Sequence, residues 1–141
     1  DSIIFTGRGA DTQLEVCLQR PFRSGGSGTV GLRSLSLSLR PDIVIALKRG
    51  DEQRMVILDA KYRTSRSSVL QGMRSAHLYQ DALRWNGARP VATLVLVPRG
   101  GGAPWLEAKH FQRTNQVGVH VIGPDQDPAV LREALAEWLG V

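Results

Sequence analysis

The sequence predicts a mixed α/β domain, an α+β arrangement around a central sheet, and three observations carry that expectation. Runs in which apolar and polar residues alternate fill much of the first half of the chain. Val91 to Val97 is a nearly unbroken apolar run with β-branched residues, the pattern of a strand covered on both faces. Two segments with apolar residues three and four apart read as helices. The 141 residues are enough for one ordinary domain, 1–141, and leave too little chain for a second core.

From Thr12 to Phe22, Leu14, Val16 and Leu18 alternate with Glu15, Cys17 and Gln19, which predicts a half-buried strand ending near Pro21. Gly25-Gly26-Ser27-Gly28 reads as a loop. Beyond it Leu35, Leu37 and Leu39 alternate with Ser34, Ser36 and Ser38, and the run passes through Pro41 into Ile43-Val44-Ile45-Ala46-Leu47. It predicts one long strand bent at the proline, because a proline inside a sheet is confined to edges and bulges. Lys48 to Arg54 reads as a charged turn and Met55 to Arg63 as the next strand, so the two strands form a hairpin. Between Ser67 and Trp85 the spacing becomes helical through Met73, Ala76, Leu83 and through Leu78, Ala82, Trp85, with Asn86-Gly87 as a C-terminal stop. Val91 to Val97 is the buried strand, Gly100-Gly101-Gly102 a loop, and Val117 to Ile122 a shorter strand. A last helix is capped by Asp127, has Pro128 in its first turn, and turns Val130, Leu131, Ala134, Leu135 and Trp138 inward before Gly140. The expected order is βββαββα.

Composition narrows the function classes. A 42% hydrophobic and 22% charged chain is globular in type, and no apolar run approaches the roughly 20 residues that span a bilayer, so no membrane partner is expected. Cys17 has no partner for an internal disulfide, which fits a reducing, cytoplasmic setting. The chain starts at Asp1 with neither Met nor a leader, which suggests a fragment whose N-terminal part is missing. Its net charge is +5, and fifteen of its eighteen basic residues are Arg. Guanidinium forks bind phosphate oxygens in pairs, so such a surface favours polyanions, unless the Arg excess merely reflects codon composition. No Gly-rich loop runs on into Lys-Ser/Thr or opens a helix as G-x-G-x-x-G, so nucleotide binding gains little support. His110 and His120 lack Cys or His partners at zinc spacing.

Strand parity isolates a possible site. On a strand from Met55 to Arg63, Asp59 and Lys61 share one face while Leu58, Ala60 and Tyr62 point the other way. If the hairpin arms pair around Lys48 to Arg54, Asp42 comes near Asp59. Two carboxylates about 4 Å apart repel by roughly 4 kcal/mol at an effective dielectric of 20, and a divalent cation such as Mg²⁺ or Mn²⁺ offsets that cost. Lys61 beside it could orient or deprotonate a water attacking phosphorus. The plainer alternatives are a surface ion pair for Asp59 and Lys61 and a turn role for Asp42 after proline. His77 and Asp81 lie one helical turn apart with Arg74 and Arg84 on the same side, which reads either as a solvated helix face or as a contact with the DNA backbone.

Arg40-Pro41-Asp42 followed by Asp59-Ala60-Lys61 resembles the signature of the PD-(D/E)XK nuclease superfamily, the restriction-endonuclease-like fold, in which helices flank a central mixed β-sheet. The wider stretches from Leu39 to Val44 and from Ile57 to Arg63, with Ala76 to Ala82, look like the nuclease domain that accompanies restriction components of the methylcytosine-specific type. This resemblance runs from about residue 35 to 98. It implies a Mg²⁺-dependent endodeoxyribonuclease that hydrolyses DNA phosphodiester bonds and leaves a 5′-phosphate and a 3′-hydroxyl. Asp42, Asp59 and the Ala60 carbonyl would be the metal ligands, Lys61 would position the water, and Mn²⁺ would substitute for Mg²⁺. Arg40, Arg63, Arg66, Arg74 and His77 are the expected nucleic-acid contacts. The expected partners are DNA, the missing N-terminal part or other subunits of a prokaryotic restriction or defence protein, and a second copy in a homodimer. The superfamily usually has a further acid on a helix before the first strand; Glu15, on a strand, is not a clean substitute. The alternative is an inactive nuclease-fold module that binds nucleic acid or scaffolds an assembly.

Overall fold

The computed structural model describes residues 2–25, 30–62 and 64–141, so Gly26 to Gly28 of the first glycine loop, and Arg63, lie outside the described residues. Nine strands and three α-helices follow in the order β1 (Ser2–Arg8), β2 (Thr12–Leu18), β3 (Arg23–Ser24), β4 (Leu32–Ser34), β5 (Ile43–Arg49), β6 (Glu52–Ala60), α1 (Arg66–Ala82), β7 (Leu83–Trp85), β8 (Ala92–Val97), α2 (Lys109–Asn115), β9 (Val117–Val121) and α3 (Pro128–Leu139) among the described residues. A 3₁₀ turn at Pro104–Glu107 precedes α2. The main sheet runs β1-β2-β5-β6-β8-β9 and a small one β3-β4-β7. The first four strands of the main sheet are antiparallel neighbours, whereas β6, β8 and β9 are parallel, which makes it the mixed sheet of a restriction-endonuclease-like fold.

Alternation along each strand divides the core into layers. On β8, Val95 and Val97 pack against Val69, Met73 and Ala76 of α1, while Leu94 and Leu96 face the other way toward Leu139 of α3. On β6, Val56 and Leu58 belong to the α3 side; Met55 and Ile57 join Phe22, Val44 and Leu83 on the opposite side. Two buried amides brace the helices. Gln80 of α1 donates from Nε2 to the Pro90 carbonyl at 2.7 Å and accepts from Thr93 Oγ1 at 3.0 Å, tying the helix to β8. Gln112 of α2 donates to the carbonyls of Leu106 and Val119, both at 2.9 Å.

Several sequence expectations change. The Leu/Ser alternation is no strand: β4 ends at Ser34, and β5 begins only at Ile43. Leu35 and Leu37 stay 62% and 54% exposed, so there is no buried face for that pattern to cover, and Pro41 supplies no N–H for a ladder. The charged turn shrinks to Gly50 and Asp51, with Arg49 opposite Glu52, because Lys48 and Gln53 keep pairing. The helix ends at Ala82, three residues early, and Leu83 to Trp85 pairs with β4 instead. Asn86-Gly87 is the turn after that strand, with φ of 48° and 84°. The strand expected to reach Arg63 ends at Ala60. Neither β1 nor α2 was expected. The buried strand β8, the strand β9 and the last helix lie where the sequence puts them, with Asp127 Oδ1 accepting from Ala129 N at 2.9 Å and Gly140 closing α3 at φ of 74°. Val130 of the expected inner face is nevertheless 48% exposed, because it lies in the first turn, off the Leu135 and Trp138 contact with the sheet.

Gly118 on β9 marks a close approach. A Cβ there would meet the Leu106 carbonyl oxygen at 2.7 Å and the Gln112 side chain at 2.5 Å. Gly118→Ala is therefore expected to cost about 1–3 kcal/mol through forced displacement of backbone and of the Gln112 brace, read as a lower urea midpoint at unchanged m.

Candidate active site

The register of the β5–β6 hairpin assembles this site. Ile43 pairs with Leu58, and the residues one step beyond that pair are Asp42 and Asp59. Parity then sends Asp59 to the same side as Met55 and Ile57, so a carboxylate stands at the end of a row of core side chains and is only 2% exposed. Asp42 is held in three ways. Its backbone carbonyl accepts from Gln19 N at 2.9 Å, Oδ1 accepts from Gln19 Nε2 at 2.8 Å, and Oδ2 accepts from Ala60 N at 3.0 Å. Gln19 can do this because β2 ends at Leu18 and Gln19 turns out of the strand with φ of 54°.

Lys61 follows the strand by one residue, yet its backbone N donates to Leu96 O at 2.9 Å and so continues the parallel pairing with β8. Its Nζ lies 2.9 Å from Asp59 Oδ2. The contact is a charge-assisted ion pair on an otherwise buried oxygen. Burial pushes the Asp59 carboxyl above its ordinary 3.8; Lys61 opposes the rise and Asp42 adds to it. Tyr79, reaching down from α1 onto Val44, Met55 and Ile57, is pushed up to about 12, first by burial and then by the negative charges of Asp59 and Asp42. Its hydroxyl therefore remains protonated near neutral pH, a donor and not a base.

A family profile of the PD-(D/E)XK nuclease superfamily matches residues 1–98. The chain belongs to this superfamily. No curated protein and no solved structure matches it. In PD-(D/E)XK terms, Asp42, Asp59 and Lys61 stand together at one end of the sheet, beside the Ala60 backbone. Among the described residues no three His, Cys, Asp or Glu side chains gather in one place, so the donors at this end are two carboxylates and backbone carbonyls. That set suits Mg²⁺, which usually takes one or two carboxylates and completes its shell with water and substrate phosphate. Two carboxylates stand against the single Lys61 ammonium, so this end of the sheet is short of positive charge, which fits a divalent cation. Glu15 is no third acid here: it sits opposite Ala46, four residues back along β2 from Gln19.

The remaining expected residues are placed elsewhere. No hydrogen bond or ion pair joins Arg40, Arg66, Arg74 or His77 to the carboxylates. Arg66 lies over the Trp105 ring, 5.0 Å from its centroid. Arg74 is exposed on α1, and His77 lines a shallow cleft with Gln80, Arg89, Phe111 and Asn115. Arg40 lines a separate cleft with other arginines. Arg63 lies outside the described residues. Sequence reasoning missed two members of the site. Gln19 carried no local signal, since its role arises from a pairing 23 residues away. Tyr79 lies three residues after Ala76 and so faces the sheet, but its closeness to the carboxylates depends on how α1 crosses β6.

Because folding raises the Asp59 pKa, the neutral carboxyl is the form the fold favours: this group's contribution to stability is full below 3.8 and is lost as pH rises through the folded value. Asp59→Asn, neutral at every pH, should therefore raise the urea midpoint at pH 7 in chelator, with the gain vanishing in acid. A variant less stable than the parent at pH 7 would show that the Lys61 ion pair outweighs burial.

Proposed function

We propose that this chain is a metal-dependent endonuclease domain that hydrolyses DNA phosphodiester bonds, with Asp42, Asp59 and the Ala60 carbonyl holding Mg²⁺, for which Mn²⁺ substitutes. The observation that carries the reading is the buried Asp59 carboxylate beside Asp42, with the Lys61 ammonium 2.9 Å from its Oδ2. A buried carboxylate beside a second one costs stability, and such costs concentrate at functional sites. When bound, the metal supplies a Lewis acid for the phosphoryl oxygen and lowers the pKa of its water.

The chain's own groups supply position. Asp42 is locked by Gln19 and by the Ala60 amide, so its carboxylate direction is set before substrate arrives. Lys61, held through its backbone to Leu96, presents an ammonium where a water or a non-bridging phosphate oxygen would lie next to Asp59. In the reaction the water gives up one proton as its oxygen bonds to phosphorus, the bond from phosphorus to the 3′-oxygen breaks, and the leaving oxygen takes up a proton, so the net change is the addition of one water. Tyr79 packs on the apolar side, where Asp59 is buried. In this reading the domain is the effector of a prokaryotic restriction or defence protein whose other parts choose the target.

Asp59→Asn is expected to abolish Mg²⁺-dependent cleavage of plasmid DNA while duplex binding persists; a purified variant that cuts at the parent's rate removes the assignment. Lys61→Ala should slow single-turnover cleavage by about 10²–10⁴ with Mn²⁺ affinity retained, and loss of metal binding at full rate would reverse the roles. Gln19→Ala, which frees Asp42 without touching the metal, should raise the Mg²⁺ concentration needed for half-maximal rate by roughly 10–100-fold.

A further inference from the structure

The small sheet carries an arginine on every strand of one row. Arg23 in β3 stands opposite Arg33 in β4, and Arg33 opposite Arg84 in β7. Neighbouring strands lie about 4.8 Å apart, and like charges in directly opposed positions destabilise a sheet. Arg84 is turned aside to the carbonyls of Asp81 and Leu83, at 2.6 and 2.8 Å. Arg23 and Arg33 are exposed, and neither meets a carboxylate among the described residues. Together with Arg20, Pro21, Leu32 and Arg40 they line a cleft of about 370 Å³ to which no acidic side chain contributes.

This cleft is joined to the carboxylates by the chain itself. Arg40 is separated from Asp42 only by the buried Pro41, and Arg20 follows Gln19, whose backbone and side chain both bond Asp42. Two residues of extended chain reach about 7 Å, on the order of two nucleotide steps at about 3.4 Å of rise each. A polyanion threaded past Asp42 and Asp59 therefore meets the arginines within the next few phosphates.

We propose that the arginine cleft seats backbone phosphates of DNA a few nucleotides from the scissile bond, gripped by the forks of Arg23, Arg33 and Arg40. The position of that bond rests on the nuclease reading above; the phosphate seat itself does not. Planar guanidinium groups match phosphate oxygens in pairs, and contacts to the backbone position a duplex without reading its sequence. The row of unpaired like charges, costly in the free protein, is neutralised by its ligand.

Anisotropy of two short fluorescein-labelled DNA duplexes of unrelated sequence, titrated across a salt series in chelator, tests this. Arg23→Ala/Arg33→Ala should weaken both duplexes equally and flatten the slope of log affinity against log salt by roughly one to two units, about 0.9 for each phosphate no longer neutralised. Arg40→Ala, outside every strand and so independent of the small sheet's folding, should flatten it by about one unit. Arg8→Ala/Arg132→Ala removes two exposed arginines outside the cleft, Arg8 beside Gln13 at the other end of β2 and Arg132 on α3, and should leave the slope near the parent's. A parent-like slope in the cleft variants, weakening of one duplex alone, or equal flattening by the Arg8/Arg132 pair overturns the proposal. Plasmid cleavage separates the two readings. A parent that binds with a steep salt slope but never cuts refutes the nuclease and keeps the seat; a parent that cuts while cleft variants bind unchanged refutes the seat alone.

Discussion

Gly50, with φ of 56° at the first position of a two-residue turn, closes the β5–β6 hairpin in the way primed turns require, and that closure sets the pairing of every residue behind it. From Arg49 opposite Glu52 the ladder runs without a shift to Ile43 opposite Leu58. A slip of one residue would send Asp59 to the α3 side and turn Leu58 toward α1, exchanging a carboxylate for an apolar group on both faces. The apolar rows on each side of β6 forbid that slip, since Val56 and Leu58 fill one layer and Met55 and Ile57 the other. Packing energy in the strand is thus what holds two acids together at its end.

The acids themselves oppose folding. Burial lifts the Asp59 pKa, and the nearby Asp42 lifts it further; Lys61 offsets only part of this. The surrounding elements are rigid enough to tolerate it. Gln80 locks α1 to β8 through Thr93 and the Pro90 carbonyl, one residue from Tyr79, which packs on the core beside the pair. Gln19 fixes Asp42 from the other flank. Stability elsewhere in the sheet, where all six residues of β8 are buried, supports a site that is individually unfavourable.

The small sheet belongs to the same balance of charge. Phe22 and Leu39 bridge beside it, and Leu83 of its strand β7 is fully buried, so it is anchored to the core formed by Phe22, Val44, Met55 and Ile57. Its outer row is free to carry arginines because the apolar contacts lie on the inner side. Anionic carboxylates and cationic guanidinium groups are thereby set side by side, with Arg40-Pro41-Asp42 as the join.

The order of side chains along single segments was enough to place the main elements: the buried run of β8, the apolar run of β6, the capped helix α3 and the strand β2, although in β2 it is Cys17 that is buried and Leu18 that is 37% exposed. These are local properties, legible without knowing what packs against the segment. The Leu/Ser run after the glycine loop misleads, because alternation signals a strand only where one face is covered, and Leu35 and Leu37 are 62% and 54% exposed. Helical spacing likewise runs on through Trp85, since it cannot reveal that β4 waits to pair with Leu83 to Trp85. Gln19 against Asp42, Tyr79 above Asp59, and Arg23 beside Arg33 beside Arg84 come from tertiary contacts alone. Each joins segments far apart in the chain, and such contacts are set by sheet register and helix packing, which no single segment contains.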